Sequence, residues 1–213
     1  MKMKPICRLG AVLLAALTVL LLAMTPLHAQ TAAPAAPAPA TETAVFGMGC
    51  FWCSQALFEK FKGVTHIVCG YAGGTVPNPT YEQVSSGETG HAEVVQITFD
   101  PAQITYQQLL DIFWDVHDPT TLNRQGADEG TQYRSLILYA NDEQRRLAEA
   151  SKQAELPKFK VITTEISPLK AFYPAEDYHQ EYFKKHPNVP YCIFVISPKI
   201  EKLEAHHPEL KGA

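Results

Sequence analysis

A short apolar run, Ala44-Val45-Phe46, leads straight into Gly47-Met48-Gly49-Cys50-Phe51-Trp52-Cys53. Behind it, Leu57, Phe58 and Phe61 recur on one helical face ahead of Gly63. A strand must therefore turn into a helix here, with Cys50 at or near the helix N-terminus and Gly63 as the stop. Unpaired N–H groups and the helix dipole at such a terminus favour a thiolate, so the expectation is an acidic, nucleophilic Cys50. Cys53 lies one turn further on the same face, within reach of a disulfide if the helix start relaxes. The two glycines ahead of Cys50 let backbone or substrate come close. Taken alone, the pair fits buried core cysteines as well as redox chemistry, with Phe51 and Trp52 as ordinary packing.

The chain's 213 residues suffice for one domain with additions. Lys2, Lys4 and Arg8 precede an uncharged run from Ala11 to Ala23, and Leu27-His28-Ala29 offers a small-residue cleavage site. Together these read as a secretory signal peptide over residues 1–29, since the run is short for a membrane span. Residues 30–43 are almost all Ala, Pro and Thr and are expected to form a semi-extended tether. The folded domain is expected over residues 44–205, with a tail over 206–213 and a periplasmic or secreted product. Cleavage would remove Lys2, Lys4 and Arg8 and no acidic residue, taking the net charge from −4 to −7. That balance argues against nucleic acid and anionic membranes as partners. Cys7 precedes the apolar run and has no assigned role. The remaining thiols, Cys50, Cys53, Cys69 and Cys192, are few for a disulfide framework and suit a working redox set.

Val64–Tyr71 alternates as a strand ending at Gly73-Gly74, and the prolines of 76–81 demand a loop. Val95, Ile97 and Phe99 alternate with Gln96 and Thr98 in a strand over 94–99. Thr105 with Gln108 makes a capping box ahead of Tyr106, Leu109, Leu110, Phe113 and Trp114 at helical spacing. The polar stretch from His117 to Tyr133 is long for a loop in a compact domain and is a candidate functional segment. Ser135–Tyr139 reads as a strand, Asn141 with Gln144 caps a helix to Leu156, and Val161–Ile166 reads as another strand. Pro174 is expected to open a helix carrying Tyr178, Tyr182 and Phe183, and Tyr191–Ile196 reads as an apolar strand. This interleaving predicts an α+β fold, a two-layer α/β sandwich with a ferredoxin-like core of mixed sheet and packed helices.

Glu93, Tyr81, Tyr133 and Asp128 each fit a solvated or packed role when taken singly. Their company carries more. Gly-Cys-Phe-Trp-Cys (49–53), Asn-Pro-Thr-Tyr-Glu-Gln-Val-Ser (78–85), Thr-Gly-His-Ala-Glu-Val-Val (89–95), Asn-Arg-Gln-Gly-Ala-Asp-Glu-Gly-Thr-Gln-Tyr-Arg-Ser (123–135) and Phe-Tyr-Pro-Ala-Glu-Asp-Tyr-His-Gln (172–180) occur in this order. Together they closely resemble the A-type peptide methionine sulfoxide reductases, over nearly all of residues 44–202. The resemblance implies that Cys50 attacks the sulfoxide sulfur of oxidised methionine and is left as a sulfenic acid. It makes Glu93 the acid, kept protonated by burial, and Tyr81 and Tyr133 the donors to the sulfoxide oxygen. Phe51 and Trp52 would hold the methyl group, and Asp128 would accept the backbone N–H of the methionine. His91, His179 and Gln180 are left with structural roles, and Cys69 reads as a small buried hydrophobe.

A sulfenic acid on Cys50 needs a second thiol. Many relatives carry Gly where this chain has Cys53, and the Cys192 stretch lacks the glycines of a swinging tail, so Cys53 is expected to resolve it, with Cys192 as the alternative. A thioredoxin-like protein or a dithiol would then supply the electrons, with no cofactor and no metal, to a monomer that repairs oxidised proteins. Two rivals stand beside this reading. A thioredoxin-like disulfide oxidoreductase usually has Gly-Pro or Pro-His, not bulky Phe-Trp, inside its Cys-x-x-Cys. A structural zinc module lacks a second Cys-x-x-Cys or Cys-x-x-His pair.

Overall fold

Strict alternation along the strands divides the apolar side chains between two faces of one sheet. In the computed structural model, which describes residues 40–207, the elements in chain order are β1 (Glu42–Met48), α1 (Phe51–Phe58), β2 (Val64–Ala72), α2 (Tyr81–Ser85) and β3 (Ala92–Phe99). There follow α3 (Tyr106–Val116), the short strands β4 (Arg124–Gln125) and β5 (Asp128–Glu129), β6 (Ser135–Tyr139), α4 (Asp142–Glu155), β7 (Glu165–Pro168), β8 (Phe172–Pro174), α5 (Tyr182–Lys185) and α6 (Ser197–His206). The expected signal peptide over 1–29, the tether up to residue 39 and the tail from 208 lie outside the described residues. Among the described residues no helix is long and apolar enough to cross a membrane.

The sheet order is β7-β6-β1-β3-β2-β8. Within β6-β1-β3-β2 each strand runs antiparallel to its neighbour, while β7 joins β6 in parallel. Two strand–helix–strand units, β1-α1-β2 and β3-α3-β6, are thus each split by a strand of the other, the ferredoxin-like arrangement expected from the sequence. Phe46, Cys69, Tyr71, Val95, Ile97 and Phe99 face α1 and α3 in the main core. The Phe46 ring lies 5.2–6.0 Å from Phe58, Tyr106 and Phe113. Each such side chain contributes about 2 kcal/mol through burial. Val45, Ala72, Ala92, Val94, Leu136 and Leu138 face the other way, under Leu169 and Phe172. Alternation therefore puts Glu93 on the face that carries α1.

The capping boxes Thr105/Gln108 and the Asn141 cap form as read. A third box, Thr80/Gln83, starts α2 inside the stretch read as loop; five residues are too few to show a helical period. β1 begins at Glu42, two residues ahead of Ala44, and β3 begins at Ala92. α1 stops at Phe58, and a turn with Gly63 at φ 95° leads into β2.

Three expectations fail. The strand read over Val161–Ile166 forms instead at Glu165–Pro168, because Thr163 is drawn to the Pro119 carbonyl. Pro174 closes the edge strand β8, and the helix expected after it is broken into a 3-10 turn and α5 by Glu181 at φ 54°. The strand read over Tyr191–Ile196 is a π-helical turn, Cys192–Ile196, running into α6. Its β-branched and aromatic residues favour a strand locally. Yet Cys192, Ile196, Ile200 and Leu203 recur at helical spacing, and all four are buried.

Candidate active site

Cys50 sits at the N-cap of α1, directly after β1 ends. The turn needs Gly49: its φ is 93°, and a Cβ there would meet the Gln125 side chain at 2.6 Å. Gln125 is itself fixed, its amide bonding both the N–H and the carbonyl of Asp118 at 3.1 Å. The polar segment 117–133 thus packs directly against the cysteine. Its near end is pinned by His117, buried and neutral, which bridges the Phe113 carbonyl and the Ser135 hydroxyl.

The first N–H of α1, that of Phe51, donates to Glu93 Oε2 at 3.0 Å. Glu93 is 2% exposed. Burial raises its pKa to about 8, against the pull of the Phe51 N–H. At neutral pH it is therefore mainly a carboxylic acid, with one oxygen held by the helix start.

The two thiols reverse the sequence expectation. Burial, the hydrogen bond with Cys53 and the nearby Glu93 all push Cys50 well up, outweighing the helix N-terminus, so resting Cys50 holds its proton. Cys53, accepting from Cys50 and facing Lys199, is lowered to about 7. Cys53 Sγ also lies 3.6 Å from the Tyr191 hydroxyl, which donates to Asp128 Oδ2 at 2.8 Å.

Aromatic rings surround this pair. Phe51 is buried against Tyr71 and His179, with ring centroids 5.9 and 5.0 Å away. Trp52 is half-buried, stacked on Tyr182 at 3.6 Å and edge-on to Tyr191, and its indole N–H donates to His179 Nδ1 at 3.1 Å. Glu176 ties the wall together, accepting from the Tyr81 N–H at 2.9 Å and the Tyr71 hydroxyl at 2.8 Å. Tyr81, and Tyr133 in the 3-10 turn Thr131–Tyr133, feel Glu93; burial first and then its charge raise both phenols, so both remain donors. The residues singled out in the sequence, Cys50, Phe51, Trp52, Cys53, Tyr81, Glu93, Asp128 and Tyr133, thus meet at the β1–α1 turn. Glu176, Tyr182 and Tyr191 were missed. Glu176 lay inside a quoted motif, whereas Tyr182 and Tyr191 belonged to segments misread as an unbroken helix and a strand.

Cys69 is buried in β2, where the Gln180 amide bonds both its N–H and its carbonyl at 2.9 Å. Cys192 is buried in the π turn, and all four described cysteines are free thiols. No group of three or more His, Cys, Asp or Glu among the described residues is placed to hold a metal ion.

A neighbouring thiol pair beside a buried carboxylic acid, on a ferredoxin-like sheet, defines a thiol-based oxidoreductase. The profile of the family described as peptide methionine sulfoxide reductase matches residues 42–211. The MsrA peptide methionine sulfoxide reductase of Sulfolobus acidocaldarius is 56% identical over 169 residues, covering 79% of this chain and 96% of that protein. Methionine sulfoxide reductase A of Corynebacterium diphtheriae superposes with a TM-score of 0.69 at 40% identity, covering 73% of this chain and 80% of that one. Mxr1 of Saccharomyces cerevisiae in its reduced form gives 0.68 at 37% identity, covering 71% and 89%. The same yeast protein in complex with Trx2 gives 0.50 at 27%, covering 71% and 91%. The chain belongs to the peptide methionine sulfoxide reductase family, and its reaction is the reduction of methionine sulfoxide to methionine.

Proposed function

We propose that Cys50 is the nucleophile and Glu93 the proton source, acting on the S epimer of methionine sulfoxide, free or within proteins. The observation that carries this is the carboxylic acid of Glu93, held at the Phe51 N–H beside the thiol. Cys50 attacks the sulfoxide sulfur, passing its proton toward the neighbouring, more acidic Cys53. Glu93 protonates the sulfoxide oxygen as charge builds on it, with the Tyr81 and Tyr133 hydroxyls donating alongside. The S–O bond of the substrate breaks, methionine leaves, and the oxygen ends on Cys50 as a sulfenic acid. Phe51 and Trp52 receive the methyl group, and Asp128 takes the methionine backbone N–H. Cys53 then displaces the oxygen as water, and a dithiol such as a thioredoxin-like protein reduces the Cys50–Cys53 disulfide. The complex of Mxr1 with Trx2 supports that choice of reductant. A fixed acid and a fixed methyl pocket on opposite sides of the attacked sulfur admit one hand of the sulfoxide. An assay on resolved epimers of acetyl-methionine sulfoxide should show turnover of the S form alone, and comparable turnover of the R form would overturn the assignment.

The same proposal includes residues 1–29 as a cleaved signal peptide, residues 30–43 as a tether, a periplasmic or secreted monomer and a role in repairing oxidised proteins. The basic n-region, the apolar run and Leu27-His28-Ala29 support export. The mature protein should begin at Gln30 by intact-mass measurement of the exported fraction; a membrane-retained product starting at Met1 would contradict it.

A further inference from the structure

Tyr191 closes the site from the C-terminal side, just ahead of the π turn. Its ring stands edge-on to Trp52 at 5.9 Å, its hydroxyl gives its proton to Asp128 Oδ2 at 2.8 Å, and the same oxygen lies 3.6 Å from Cys53 Sγ. One phenol therefore touches both the carboxylate assigned to the substrate backbone and the sulfur assigned to resolve the sulfenic acid.

A phenol has one proton to give. While that proton points at Asp128, the hydroxyl can only accept from a thiol. Rotation about the C–O bond redirects it to Cys53 once that sulfur is ionised. We propose that Tyr191 is the positioning residue of the disulfide-forming step, its hydroxyl turning from Asp128 to the Cys53 thiolate and holding that sulfur in line with the Cys50 sulfenic acid. In that step the Cys53–Cys50 S–S bond forms and the Cys50 S–O bond breaks. Cys53 sulfur is oxidised, Cys50 sulfur is reduced, and the leaving hydroxide takes up the proton that Cys53 gave up and departs as water. Burial of Tyr191 and the nearby sulfurs push its own pKa upward, so it serves as a donor and is not itself ionised. The inference rests on Cys53 as the resolving thiol.

The test is rapid-quench kinetics on the full chain and on Tyr191→Phe, which keeps the ring against Trp52. Methionine is counted in one channel and loss of free thiol in the other. Methionine formation should slow less than disulfide formation does, because Asp128 loses one donor there but Cys53 loses the group that holds it in line. Disulfide formation should slow by about tenfold, the order expected when a hydrogen bond to a charged group is lost. Its pH midpoint should also move upward, because the Cys53 thiolate has lost a donor. An unchanged disulfide rate and midpoint, or equal slowing of both steps, would overturn the role of Tyr191. Peptide mapping of the parent disulfide keeps the two readings apart. A Cys50–Cys53 bridge with a normal rate in Tyr191→Phe sinks only Tyr191, whereas a Cys50–Cys192 bridge removes the footing of both.

Discussion

Glu93→Gln should lower the rate of single-turnover methionine formation by about 10²-fold or more, the usual contribution of a positioned general acid. Glutamine matches the shape of the protonated side chain. Its carbonyl can still accept from the Phe51 N–H, as Glu93 Oε2 does at 3.0 Å, and its amide can still donate to a sulfoxide oxygen. It cannot deliver a proton. The loss must therefore appear before any disulfide forms, and a parent-like rate at that step would reduce Glu93 to a cap for α1. The parent enzyme should lose the same step above about pH 8, where Glu93 gives up its proton. Stability should fall with rising pH as well. The folded pKa lies above that of the unfolded chain, so the folded state binds the extra proton between pH 4.5 and about 8. Whatever stability Glu93 lends is complete below that window and is lost as the pH rises through it. Glu93→Gln removes this titration, so thermal unfolding of the variant should fall less across the window than that of the parent.

The difference between the Cys50 turn and the C-terminal stretch shows what the sequence made legible. Around Cys50, local and long-range rules agree. An apolar run, two glycines and a helical repeat fix the turn, and strand alternation alone sends Glu93 to the helix-bearing face with Val95, Ile97 and Phe99. Charge states were harder to read. A helix N-terminus argues for an ionised Cys50, but the opposing forces are burial, a neighbouring thiol and a carboxyl from a strand 43 positions away, and none is visible in a linear pattern. Beyond Pro174, the chain is held by side chains standing in for backbone. Gln180 bonds the peptide of Cys69, and Glu176 binds Tyr71 and Tyr81, so the usual periodicities do not apply. Tyr191 was lost for a related reason. Its β-favouring neighbours masked a helical burial pattern that emerges only when the run is followed through Leu203.

With a thioredoxin as sole reductant, Cys53→Ser should make one equivalent of methionine and stop, while Cys192→Ser should keep turning over. Cys53 has the better claim on three grounds. It stands one turn along α1 from Cys50 at the helix start. Its pKa, lowered to about 7, lies near ambient pH, where a thiol combines ionised fraction with nucleophilicity to best effect. The loop it closes is short, so little chain entropy opposes closure. The cost falls on the helix start: the Cys53 N–H bonds the Cys50 carbonyl at 3.1 Å, and disulfide geometry requires that turn to loosen. Cys192 pays more to take part. It is fully buried in the π turn, and burial, then the charge of Cys53, raise its pKa. To reach Cys50 it would have to withdraw from a core it shares with Ile196, Ile200 and Leu203. A π turn is nonetheless a weak point in a helix, and opening there would carry Cys192 away from that core. Methionine yield per enzyme, with thiol titration on each variant, decides between them. If Cys53→Ser turns over and Cys192→Ser stalls at one equivalent, the π turn opens during the cycle and the resolving thiol is Cys192.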